Sequence, residues 1–151
     1  MPLITHSALR QIPDDAKEFF IFTTPVAGVV SAATVGDVQT TTIRITQEAH
    51  FVAIKLVYDE SVATTACNFF IQIEPSEGDR RLQNDWVRAD NYFGTAQLPM
   101  IMPQPRLFLA NTVVTIRIRN NEANARTTFF SMIGFKIFYD LNQLDLTRRV
   151  M

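Results

Sequence analysis

Residues 113–119 and 128–139 constrain the fold of this chain more than any other part of it. In the first run Val114, Ile116 and Ile118 alternate with Thr115, Arg117 and Arg119, the period of a strand with one buried and one wet face. Asn120-Asn121 then breaks the pattern, and such punctuation between two strand-like runs predicts a hairpin turn. The returning run is apolar in both alternating sets: Phe129, Ile133, Phe135, Ile137 and Tyr139 in one, Phe130, Met132 and Phe138 in the other. A strand of that kind is covered on both faces. The same holds for 51–58, where Phe51, Ala53 and Val57 oppose Val52, Ile54, Leu56 and Tyr58. The cover comes either from this chain's own arm and long loop or from another subunit.

Further strands are expected at 18–23, 38–46 and 67–75, all rich in β-branched or aromatic residues. Pro75 stops the last of these, and Ser76-Glu77-Gly78-Asp79 follows as a turn with Gly where positive φ is needed. Pro99, Pro103 and Pro105 cannot donate ladder hydrogen bonds, so 98–105 reads as an edge or an extended connector before a short strand at 106–109. Helix should be confined to short pieces near 14–18 or 141–149. The expected architecture is all-β, an antiparallel β-sandwich of two sheets with 113–119 paired to 128–139.

A chain of 151 residues is one domain's length and buries roughly 70% of its unfolded surface. Residues 1–17, broken by Pro2 and Pro13 and lacking a period, read as an extended N-terminal arm that reaches away from its own sandwich. The sandwich then spans 18–140 and a C-terminal tail 141–151. Charged residues are 19% of the chain against 47% apolar, a low share that predicts surface covered by a partner. The formal net charge of −1 supplies no field for a nucleic-acid backbone. The single cysteine, Cys67, closes no intrachain disulfide, which fits assembly in a reducing cytoplasm. The first ten residues have no signal-peptide pattern, and no run approaches a membrane span of about 18 apolar residues.

Chemistry-bearing clusters are sparse. The two histidines, His6 and His50, sit in no motif that would activate Cys67 or a serine, and Cys67 between Ala66 and Phe69 reads as a buried structural thiol. Glu74, Glu77, Asp79, Asp85 and Asp90 match no calcium-loop spacing. A hydrolase using Glu74, Asp79, Asp85 and Asp90 would need two of them to converge in a desolvated pocket. No catalytic, cofactor or metal residue is assigned. Trp86, Tyr92 and Phe93, with Asn84, Asp85 and Asn91 nearby, form the best contact-loop candidate. They either stack on a sugar or anchor the long loop onto the sandwich.

Residues 98–139 resemble small β-sandwich structural proteins of tailed-bacteriophage virions, in particular capsid cement or decoration proteins. The resemblance rests on Pro103-Gln104-Pro105-Arg106, on the runs 107–111 and 113–120, on the Asn-rich turn and on Gly134-Phe135-Lys136-Ile137-Phe138-Tyr139, with Asn91-Tyr92-Phe93-Gly94-Thr95 before it. It implies a jelly-roll-like subunit on the capsid exterior, assembled in the host cytoplasm, that bridges major capsid protein subunits as a trimer or other homo-oligomer. It brings no catalytic residues or cofactor. Phe51, Val57, Phe130, Met132 and Phe138 are the expected subunit contacts. A tail or neck component and a carbohydrate-binding adhesin are the alternatives.

Overall fold

Runs of β-branched and aromatic residues, cut by Pro, Gly and Asn, form the strands of the chain. The computed structural model describes residues 6–25, 29–30, 34–60, 69–76, 82–95, 97–123 and 125–138. Helix α1 (His6–Gln11) and a single 3-10 turn (Asp14–Ala16) precede β1 (Lys17–Thr23), β2 (Val29–Val30), β3 (Val38–Arg44), β4 (His50–Glu60), β5 (Phe69–Pro75) and β6 (Val87–Arg88). After α2 (Ala89–Tyr92) come β7 (Met100–Phe108), β8 (Val113–Asn120) and β9 (Thr127–Ile137). One sheet has the order β1-β9-β4-β7, with β2 also pairing to β9, and the other has the order β3-β8-β5-β6. Every ladder between these strands is antiparallel. The all-β sandwich expected from the alternation is therefore present.

The core fills the space between the sheets. Phe22, Phe51, Phe130 and Met132 of the first sheet meet Ile43, Phe69, Ile71, Ile116 and Ile118 of the second, each large side chain contributing about 1.5–3 kcal/mol by burial. Its rings meet edge to face, Phe22 with Phe51 at 4.8 Å and Phe69 with Phe130 at 6.3 Å between centroids.

The expected hairpin between 113–119 and 128–139 does not form. Val114, Ile116 and Ile118 are buried and their alternating partners face outward, as their period demands, but β8 pairs with β3 and β5 while β9 pairs with β1 and β4. A two-residue turn forces its strands into one sheet, whereas the link from Asn121 to Arg126 is long enough to cross the roughly 10 Å between sheets. Asn120 Oδ1 accepts the Glu122 amide at 3.1 Å, and the Arg126 guanidinium donates to the Glu122 carboxylate, so this link is held by its own side chains.

The N-terminal segment also differs from the extended arm. Over 6–16 it forms α1 and the 3-10 turn, and Ile12, 1% exposed, packs with Val52, Leu107 and Ile137 on the outer face of the first sheet. Ala16 O accepts the Phe138 amide at 3.0 Å. An apolar patch on the chain's own sheet supplies the partner that the unpatterned sequence did not reveal. Residues 1–5 and the tail 141–151 lie outside the described residues. Short helices occur at His6–Gln11 and Ala89–Tyr92, with the 3-10 turn near the expected 14–18 position.

Strand β7 runs through Pro103 and Pro105 at the edge of its sheet. Its register against β4 jumps from Ala53↔Arg106 to Lys55↔Ile101, so 102–105 leave the ladder opposite Ile54. Strand β4 bulges at the same place against β9, where Gly134 lets the backbones close: a Cβ there would run into the Val52 carbonyl.

Candidate functional site

The ladders place apolar residues in rows across the outer face of the first sheet. One row runs Phe19↔Phe135↔Val52↔Leu107, and the next Ile21↔Ile133↔Lys55↔Ile101. Ile12 and Leu9 cover the Val52 and Leu107 end of the first row. The β1 end is open, with Phe19 61% and Ile21 45% exposed, and Ile101 at the opposite edge is 60% exposed. Phe135 and Ile133 between them are half-buried. The result is a strip of large apolar side chains around Lys55, on a sheet that is flanked by two edge strands. Phe19, Ile21, Ile133 and Phe135 adjoin one another, with Ile101 beyond Lys55; grouped apolar surface is a feature of contact sites, unlike single exposed apolar residues.

The face opposite this strip is core, and that reverses part of the expected contact set. Phe51, Phe130 and Met132 point between the sheets, with exposures of 0–2%. Both alternating sets of β9 are apolar, so periodicity alone does not say which faces inward; the buried inner set is Phe130 with Met132, and the outer set is Phe129, Ile133 and Phe135. Val57 is half-buried on the outer face opposite Ser131, and Phe138 is 47% exposed just after β9. Phe19, Ile21 and Ile101 were not singled out from sequence. The signal was present in 19–22, where four consecutive apolar residues exceed what one face of an edge strand can bury.

Lys136 falls in the inward-facing set and is 6% exposed. Its Nζ donates to Glu48 Oε1 at 2.6 Å and lies 3.9 Å from the centre of the Phe20 ring. A buried cation is tolerated where a carboxylate and an aromatic face replace water. The hydrogen bond from Lys136, and then its charge, hold the Glu48 carboxyl below its ordinary value of 4.5.

Two of the loop aromatics, Tyr92 and Phe93, anchor the loop on the core. Phe93 is buried with its ring 5.0 Å from Phe130, and Tyr92 packs half-buried against the same core. Burial pushes the Tyr92 phenol up to about 12, with the charge of Arg106 acting in the opposite sense. Trp86 is half-buried, and its backbone amide donates to Asp85 Oδ1 at 2.7 Å. The Tyr92 and Phe93 rings are tilted 48° to each other at 5.6 Å, so they are not coplanar.

The described loop carboxylates do not converge. Glu74 pairs with Arg117 at 3.6 Å, Asp90 with Arg88 at 3.2 Å, and Asp85 is exposed. Asp79, Glu77 and Cys67 lie outside the described residues. His50 Nδ1 accepts the Ala110 amide at 3.0 Å, a structural role that ties β4 to the turn after β7. Among the described residues no group of three or more His, Cys, Asp or Glu is placed to hold a metal ion, and no helix is long and apolar enough to cross a membrane.

A separate cavity of about 340 Å³ opens beside the β7 bulge, between that strand, Leu82 and Tyr92. Comparison with protein-family models, with curated proteins and with solved structures found no match to this chain.

Proposed function

We propose that the chain is a non-enzymatic virion structural protein of the cement or decoration type, a jelly roll that binds the capsid exterior and bridges major capsid protein subunits. The reading rests first on strand order. Leaving aside β2, which lies off the sheet path, the eight remaining strands among the described residues pair first with last (β1 with β9), second with seventh (β3 with β8), third with sixth (β4 with β7) and fourth with fifth (β5 with β6). That nesting is one long hairpin folded over into two sheets, the logic of a jelly roll, an architecture used by viral capsid and lectin domains. Fold alone assigns no function.

The observation that carries the contact is the open strip Phe19, Ile21, Ile133, Phe135 and Ile101 on the first sheet. A partner that covers it removes large apolar side chains from water without disturbing the inter-sheet core. Many copies on one particle then reinforce one another, because each linked contact raises the effective concentration of the next. A carbohydrate-binding adhesin has less support, since Phe93 is spent on the core and Tyr92 is half-buried.

Co-sedimentation with empty capsids assembled from the major capsid protein of the same genome tests this reading. Saturable binding that is lost in Phe19→Asp/Ile21→Asp supports it. Absence of binding, together with glycan binding that is lost in Trp86→Ala, replaces it with the adhesin.

A further inference from the structure

We propose that the cavity beside the β7 bulge is a binding site for a small organic carboxylate with an apolar body. The cavity exists because 102–105 leave the β4 ladder, a displacement that Pro103 and Pro105 enforce by withholding amide donors. Its floor is apolar, with Leu56 3% and Met102 8% exposed. Its mouth lies at Met100, Pro103 and Gln104, all solvent-exposed. A dry cavity of about 150 Å³ holds a benzene ring; one of about 340 Å³ takes a ring with a short chain.

Arg106 sets the class of ligand. The guanidiniums of Arg88, Arg117 and Arg126 are each paired with a carboxylate. Arg106 lines this cavity half-buried, with no carboxylate against it among the described residues. A guanidinium held beside apolar walls matches a carboxylate through two parallel N–H donors. Tyr92 lines the same cavity, and its phenol stays protonated at neutral pH, leaving a second type of donor next to the cation. Pockets with an apolar lining and a few converging polar groups are the usual form of small-molecule sites. This inference does not depend on the capsid reading, because the cavity and the apolar strip use different residues.

The test titrates the full chain with 4-phenylbutyrate and with its neutral amide, followed by amide chemical shifts and thermal melting. The expected result is perturbation at Tyr92, Met100 and Gln104, and binding of the acid at least about tenfold tighter than the amide, because only the acid makes a charge-assisted contact with Arg106. Arg106→Gln should abolish that preference while leaving amide binding within about twofold, and Leu82→Trp, which fills the cavity, should remove both. Equal binding of acid and amide by the unaltered protein overturns the carboxylate assignment without requiring any variant. No perturbation at about 1 mM of either probe overturns the site.

Discussion

Phe19 and Phe135 occupy facing positions of β1 and β9 on the outer face of the first sheet, their rings edge to face at 6.3 Å. Phe19 remains 61% exposed in this arrangement. Beyond that one ring contact, packing within the chain leaves most of its surface in water. Phe19→Ser should cost less than about 1 kcal/mol in urea unfolding, as surface substitutions do, while weakening particle binding. A loss of several kcal/mol would make Phe19 a folding residue and remove it from the contact.

The same strand set gives a core control. Phe130 is fully buried among Phe69 and Phe93, so Phe130→Ala should lower stability by about 3–5 kcal/mol. Phe138, 47% exposed, should lose less than about 1 kcal/mol on the same truncation. Equilibrium denaturation of the two variants separates buried from exposed positions.

Gly134 is the point at which β9 passes closest to β4. A methyl group there would meet the Val52 carbonyl and the Ala53 backbone, neither of which can rotate away. Gly134→Ala should therefore destabilise by about 3 kcal/mol, at the upper end for overpacking. A melting temperature unchanged from that of the original chain would show that the β4 bulge relaxes freely.

Alternation read from the sequence locates the strands well because period two is a property of single segments. In β8 it identifies Val114, Ile116 and Ile118 as the buried set, but it takes Asn120, the buried last residue of the strand, as turn. It fails for strand pairing, since Asn120-Asn121 looks like a hairpin turn while the link through Arg126 crosses between sheets; pairing is a long-range outcome that turn residues bias only locally. It also fails where both alternating sets are apolar: in β9 nothing local distinguishes the inner Phe130 from the outer Phe135. The covering role of Ile12 was hidden for a related reason, because one buried side chain after a short helix leaves no periodic trace.

Lys136 and Glu48 give the fold a defined acid sensitivity. Glu48 titrates below its ordinary 4.5 in the folded chain because Lys136 donates to it and adds its charge. A depressed carboxyl stabilises the folded state fully above the unfolded value, and the contribution fades as pH falls through the folded value. The melting temperature should thus fall below about pH 4.5, and Glu48→Gln should flatten that part of the profile while lowering the plateau at neutral pH. Parallel profiles for the two proteins would show that other groups govern the acid limb.

The most direct measurement of the capsid reading is a cryo-electron microscopy reconstruction of empty capsids incubated with the chain. The account predicts added density on the capsid exterior that fits the two-sheet body, with Phe19, Ile21 and Ile101 turned toward major capsid protein subunits. Capsids without added density at saturating protein, or density joined to the capsid through the β3-β8-β5-β6 sheet, would contradict it.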